Sequence, residues 1–330
     1  MSCTRISIVR GRAVVPSSRG VSPGSPARPT TIYQHPLAYL LATEGLALLR
    51  AWGGDFDERF VRARLDEIRR LMVNETLANH PGVHVESGAT DNAYRQWAAT
   101  YDEPGNELLV ADLAMIDEVL ASRPRGTAVD TACGTGRLAQ RLAARGHRVL
   151  GVDRSPEMVH QARRRVPGVP FAVGDLHALP VGDATVDVLT NALALTHVAD
   201  LGPVFLEFAR VLRRGGVAIV SDAHPELVRF GSVPKAVGPD GRPQQAAGHR
   251  HTVADYLRAA LAAGFLVRGF YEPGPGEPSD EAPPAAPPLS SGRDLGEWRE
   301  WPWSLLRFTP AAAAAAWNVP SVLVWHLERA

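Results

Sequence analysis

Lysine is all but missing: Lys235 is the only one in 330 residues, and arginine supplies the rest of the 35 basic side chains. The 35 acidic residues bring the formal charge to zero. A balanced chain of ordinary charged content lacks the basic footprint of a nucleic-acid binder. Cysteine is nearly absent too, with Cys3 in an N-terminal Ser/Pro-rich stretch and Cys133 in a glycine loop. That placement predicts no structural disulfide and fits a reducing cytoplasm. Cys133 reads either as a reactive thiol or as a small residue packed into its loop. No apolar run approaches the roughly 20 residues that span a bilayer, so no membrane association is expected. The N-terminus has Arg and Ser but no continuous apolar core of a signal peptide. With lysine scarce and Arg, Ala, Gly and Pro abundant, the composition reads as GC bias.

The chain is organised around Thr127 to Asp153, TAVDTACGTGRLAQRLAARGHRVLGVD. A short strand closing on Asp130 runs into a loop of small residues, Ala132 to Gly136. An amphipathic run with Leu138 and Leu142 at helical spacing follows and stops at Gly146. A second strand, Arg148 to Val152, ends on Asp153. This strand–loop–helix–strand unit predicts a doubly wound α/β fold on a mostly parallel sheet. Glycines in such a loop permit positive φ and let backbone N–H groups approach a ligand. The acid ending the second strand stands where a ribose diol is held. The unit therefore predicts a nucleoside-containing cofactor.

Gly134-x-Gly136-x-x-Ala139 also satisfies the loose dinucleotide fingerprint, so NAD is a competing reading. Charge argues against it. Asp130 lies just before the loop, where it repels a pyrophosphate and attracts an ammonium. A third strand, Pro170 to Val173, leads to Gly174-Asp175-Leu176, and an acid there can accept from an adenine amine. Three carboxylates at three strand ends suit a ligand that is cationic at sulfur and nitrogen.

Asp130-Thr-Ala-Cys-Gly-Thr-Gly136, Gly151-Val-Asp153 with Ser155-Pro-Glu-Met158, Gly174-Asp175, and Leu193-Ala-Leu-Thr-His-Val198 together resemble class I S-adenosylmethionine-dependent methyltransferases. The resemblance covers roughly residues 94 to 272 and the last strand, and is strongest to small-molecule enzymes of high-GC bacteria. It implies a seven-stranded Rossmann-like sheet with its last strand antiparallel, S-adenosylmethionine as cofactor, and a small-molecule acceptor, as in antibiotic biosynthesis. It also implies Asp130, Ala132 and Gly134 around the methionine moiety, Asp153 at the ribose, and Asp175 with Leu176 at the adenine. Gly136, Arg154, Met158 and Asn191 join this cofactor set. Ala132 departs from the family, many of whose members have glycine there; its methyl is small enough to be tolerated.

Residues 1–30, rich in Ser, Pro, Gly and Arg, are expected to be disordered. Residues 31–104 are expected to form a helical cap: one helix opened by Pro36, a break at Gly53-Gly54, and a second amphipathic helix over Asp55 to Val73. Their apolar faces predict that they cover the substrate side, pair with a second copy in a homodimer, or simply pack on the domain. Tyr94 and Tyr101 lie just upstream of the cofactor domain, residues 105–330. The resemblance implies a lid tyrosine there, with ordinary packing as the alternative. Further strands are predicted at Val186 to Ala192, Val217 to Asp222, Phe265 to Tyr271 and Ser321 to Leu327, with a helix capped by Thr252. Residues 272–292 read as a Pro-rich surface loop.

Substrate-facing groups in an open α/β sheet come from beyond the C-terminal strand ends. His197, His224 and His251 qualify as candidate bases, with His224 preferred because it follows the fifth strand, and His249 behind them. Each has a structural alternative, and Asp222 reads as a ring orienter or a strand cap. The spacing of these histidines matches no compact metal-ligand motif, so no metal is expected. Trp298, Trp301 and Trp303 read as either a pocket wall or core. Two functional alternatives stay open: a protein that binds the cofactor without transferring methyl, and an NAD-dependent oxidoreductase. A nucleic-acid methyltransferase is disfavoured by the neutral charge and by Asn191-Ala-Leu-Ala in place of an Asn/Asp-Pro-Pro-Tyr/Phe motif.

Overall fold

Alternating apolar strands and amphipathic helices build the predicted layers. The computed structural model describes residues 31–88, 90–102, 108–231, 234–273, 295–316 and 318–330. The expected disordered tail lies outside these, as does nearly all of the Pro-rich segment. The strands are β1 (Thr31–Gln34), β2 (Val83–Gly88), β3 (Thr127–Thr131), β4 (Arg148–Asp153), β5 (Phe171–Val173), β6 (Val186–Ala192), β7 (Leu212–Ala223), β8 (Lys235–Val237), β9 (Pro243–Ala246), β10 (Phe265–Tyr271) and β11 (Val322–Arg329).

Seven of them form one sheet in the order β10-β11-β7-β6-β3-β4-β5. β3 pairs in parallel with both β4 and β6, while β11 is antiparallel to β7 and to β10. This is the seven-stranded Rossmann-like methyltransferase arrangement expected from the sequence. Helices cover both faces. On one, Phe205 and Phe208 of the helix Leu201–Val211 and Tyr256 of Val253–Ala262 pack on Leu189, Val220 and Leu323. On the other, Leu138 and Leu142 of Arg137–Ala144, with Ile116 and Val159, pack on Ala128, Val149 and Val188. Burying each of these large apolar side chains contributes about 1.5–3 kcal/mol.

Local chemistry sets the ends. Thr252 caps its helix through a reciprocal capping box with Asp255. Asp57 caps Glu58–Met72 by accepting from Phe60 N–H at 2.8 Å. The turn Gly215-Gly216 falls inside the span of β7, between Leu212, which pairs with Val186, and Val217, which pairs with Val188.

The N-terminal part is more than the expected pair of helices. The helices Pro36–Trp52 and Glu58–Met72 are there, but β1 and β2 flank them and join β9 and β8 in a second sheet, β1-β2-β9-β8. Pairing Glu86 with Gln244 makes that sheet from segments far apart in the chain, which a local pattern does not reveal. The two helices pack on the C-terminal segment: Leu40 and Leu71, with Leu77 of the short helix Glu75–Ala78, cluster with Trp301, Leu305 and Phe308. Between them Glu44 and Arg64 form a buried ion pair at 3.1 Å, and burial pushes the Glu44 carboxyl up to about 7.

Candidate active site

The chain order runs outward from β3 to β4 and β5 on one side and resumes at β6 on the other, so the sheet has its switch point between β3 and β6. A crevice opens there, beyond the carboxyl ends of the strands. The structure has a cavity of about 430 Å³ at that place, lined by Ala132 and Gly134 after β3, Asp153 and Arg154 at β4, and Asp175 and Leu176 after β5. His197 and Leu193 line it from the β6 side, and Tyr94 and Tyr101 from the N-terminal part.

The loop after β3 owes its shape to its small residues. Gly134 has φ 54° and Ala132 also has φ 54°. That left-handed conformation is rare for alanine, whereas a glycine at this position would adopt it without strain. Leu193 faces the same crevice at φ 55°. Strain at two non-glycine residues on one cavity wall marks a site over-determined by its surroundings. A methyl built on Gly134 meets nothing within 4 Å, so the loop leaves open space in front of it. Gly136 does not reach the cavity: it caps the helix Arg137–Ala144, and a Cβ there would press on Ala162 and Val166 at 3.3 Å.

Asp153 ties loop and strand together. Its Oδ2 accepts from Gly134 N–H and its Oδ1 from Ser155 N–H, each at 2.8 Å. Burial raises its pKa, against these two backbone donors. Each oxygen keeps a lone pair for a ligand hydroxyl. Asp175 Oδ1 accepts from His177 N–H at 2.9 Å and lies 2.6 Å from His177 Nδ1. The backbone N–H of His177 is the main reason its carboxyl sits low. Arg154 pairs with Asp91 at 3.3 Å, and Arg95 with Glu157 at 3.3 Å, so two exposed ion pairs tie the helix Thr90–Trp97 to the rim.

Other predicted residues lie behind the wall. Asp130 is set back from the cavity: its oxygens accept from Ala139 N–H and the Thr190 hydroxyl, each at 2.8 Å, and burial pushes it up to about 7. Asn191 is buried, donating to the Thr131 carbonyl and hydroxyl at 3.1 Å, while its Oδ1 has no partner among the described residues. Met158 lines the cavity from the helix Pro156–Arg165.

The histidines separate. His197 lines the cavity, and Nε2 lies 2.8 Å from the Tyr94 hydroxyl while Nδ1 lies 2.8 Å from the Ala247 carbonyl. Burial lowers its basicity. His224, preferred from the sequence, is not among the lining residues: its Nδ1 accepts from Glu226 N–H as a helix cap and its Nε2 faces Glu272 at 3.2 Å. The Pro225 that follows explains this, since Pro opens a helix and the preceding residue becomes its cap. His251 also stands off the cavity, with Nε2 2.7 Å from the Val198 carbonyl. Behind it Tyr256 donates to Asp222 at 2.6 Å, and burial pushes Asp222 up to about 6. The tryptophans split likewise: Trp301 is core, Trp303 is exposed, and neither lines the cavity.

Sequence reasoning passed over Asp91, His177 and Asp200 in the lining. Asp-x-His directly after β5 was a usable signal for His177. The positive φ of Leu193 has no signature in residue type.

Residues 129–220 match the family model described as a methyltransferase domain. Over 164 residues, 47% of this chain and 46% of the relative, the chain is 37% identical to an uncharacterized 37.1 kDa protein in transposon TN4556 of Streptomyces fradiae. It is 30% identical over 179 residues to the malonyl-[acyl-carrier protein] O-methyltransferase of Yersinia pestis, covering 54% of this chain and 62% of that one. A probable S-adenosylmethionine-dependent methyltransferase of Mycolicibacterium smegmatis is 40% identical over 112 residues, 34% of this chain and 43% of the relative. The chain thus spans about half the length of the curated relatives it matches.

Proposed function

We propose that the protein transfers a methyl group from S-adenosylmethionine to oxygen, nitrogen or carbon of a small molecule in specialised bacterial metabolism. The observation that carries this reading is a cavity at the switch point whose floor is the Ala132–Gly134 loop and whose rim holds Asp153 and Asp175. The donor set fits the cofactor: Asp153 takes the ribose hydroxyls, Asp175 and Leu176 the adenine, and the loop the methionine end. Bound there, the cofactor supplies a methyl carbon made electrophilic by its positive sulfur. The chain's own part is to orient that carbon toward the acceptor and exclude water, because displacement needs the nucleophile in line at about 3 Å. Tyr94 and Tyr101 line the cavity from the N-terminal part.

Calorimetric titration with S-adenosylhomocysteine tests the reading. Binding is expected with S-adenosylhomocysteine and not with NADH. Asp153→Ala should weaken it by about 10- to 100-fold, the loss of a charge-assisted hydrogen bond. Heat with NADH alone would overturn the proposal. Incubation with methyl-labelled cofactor and a bacterial metabolite extract then separates transfer from mere binding, since a protein that only binds leaves the extract unlabelled.

A further inference from the structure

The helix Thr90–Trp97 and the loop after β6 bring two protic side chains together on one wall of the cavity, Tyr94 and His197. Their rings stand edge-on, with centroids 5.4 Å apart at 84°. A backbone carbonyl only accepts, so His197 Nδ1, facing Ala247 O, carries the ring proton. Nε2 then presents its lone pair, and the Tyr94 hydroxyl donates to it at 2.8 Å. The ring is held in one tautomer with its basic nitrogen on a phenol that itself lines the cavity. Among the described residues that phenol has no second hydrogen bond, which leaves its oxygen lone pairs for a hydroxyl in the cavity.

We infer that Tyr94, backed by His197, is the proton acceptor for an uncharged hydroxyl substrate, so that the methylated atom is the oxygen of a small alcohol or phenol. The inference rests on the methyl-transfer reading above and narrows its acceptor. The acceptor oxygen bonds to the methyl carbon as the carbon–sulfur bond breaks and its electron pair stays on sulfur. The hydroxyl proton passes to Tyr94 Oη, and the proton that Tyr94 held moves to His197 Nε2. The resulting imidazolium returns a proton to water when product leaves.

The other acceptor classes fit this wall less well. A carboxylate arrives already ionised and needs a cation. Among the described lining residues the guanidinium is that of Arg154, already paired with Asp91, and His177 is turned to Asp175. Four carboxylates, on Asp91, Asp153, Asp175 and Asp200, also line the cavity. A neutral amine attacks with a free lone pair and sheds its proton after transfer, so it needs no base. A hydroxyl is a weak nucleophile until its proton has somewhere to go. Tyr101, Asp153 and Asp222 act on Tyr94, and His249 acts on His197. Burial holds the tyrosine up and the histidine down, so the resting pair is uncharged at neutral pH.

The test uses the full chain saturated with S-adenosylhomocysteine, with saturation set from each variant's own calorimetric curve, and 4-nitrophenol as probe. At a pH near the ionisation midpoint of free 4-nitrophenol, the bound probe should show phenolate absorbance in wild type. Tyr94→Phe and His197→Gln should each cut the bound phenolate fraction about tenfold or more. A bound probe that stays un-ionised in wild type, equal ionisation in both variants, or no binding to the loaded protein would overturn the inference. Should His197→Gln fail to fold, Tyr94→Phe decides alone. A failure of S-adenosylhomocysteine itself to bind would instead strike the methyl-transfer reading.

Discussion

Removing the Asp112 carboxylate should unsettle the cofactor loop through the residue that follows it. Asp112 is fully buried, and its oxygens accept from the Arg137 guanidinium at 2.7 and 3.0 Å. The Ser221 hydroxyl at the rim of β7 donates to the same carboxylate at 2.5 Å. Arg137, 14% exposed, is the first residue of the helix after Gly136 and also donates to the Leu109 carbonyl at 2.9 Å. Asp112→Ala therefore strands a desolvated guanidinium with one carbonyl for company. Breaking a buried pair from one side costs about 3–5 kcal/mol, whereas replacing both partners by apolar groups is often nearly neutral. In a unit of this size each kcal/mol moves the melting temperature by about 2–4 °C, so Asp112→Ala should lower it by about 6–20 °C. The double variant Asp112→Leu/Arg137→Leu should lose much less than the two single losses added together. Thermal unfolding followed by circular dichroism measures all of these. A single-variant loss below about 1 kcal/mol, or additive losses in the double variant, would refute the reasoning.

Three other outcomes follow from the packing and the buried charges. Asp130, held near 7 in the fold and near 3.9 when unfolded, keeps a proton on folding between those values, so its contribution to stability falls as pH rises from about 4 to 7. Relative to wild type, Asp130→Asn should gain up to about 1.4 kcal/mol per pH unit across that window; a flat difference in denaturant titrations would contradict the shift. Lys235 donates to the Trp298 and Trp301 carbonyls at 2.8 and 2.6 Å with its ammonium over the Trp298 ring. An amine-acylating reagent should leave it untouched in the folded protein and modify it after denaturation, as read by mass spectrometry, and Lys235→Met should cost about 1–3 kcal/mol through the orphaned carbonyls. Gly151→Ala would put a methyl 2.3 Å from the Phe171 ring, and should cost about 1–3 kcal/mol in melting experiments.

The central sheet was legible because its strands announce themselves locally. Val186–Ala192 is the strand expected at those residues, and Thr252 marks its helix by a cap that the backbone then uses. The second sheet was not legible: β8 has only Lys235 to Val237, its partner β9 carries polar residues such as Gln244 and Gln245, and β2, on the far side of β9, carries Glu86. Nothing in three or four residues distinguishes such a strand from a loop. At the cavity, acids at strand ends were readable as a class, but not which of them face inward. Asp130 and Asp153 both end strands; only the second lines the cavity, because Ala139 N–H and Thr190 take up the first. Histidines were readable as candidates, while their partners, a carbonyl for His197 and a helix end for His224, come from residues the motif does not contain.

The second sheet also sets an order of assembly. β2 lies between β1 and β9, and β9 follows β7 in the chain. On the ribosome the early strands must wait, with one edge open, until residues beyond β7 have emerged. The Rossmann-like strands β3 to β7 come together meanwhile. The helix Thr90–Trp97, whose Asn92 and Gln96 donate to the Val237 carbonyl of β8, is tied to the same late strands. The side of the cavity that Tyr94 supplies therefore depends on residues made after the Gly134 floor.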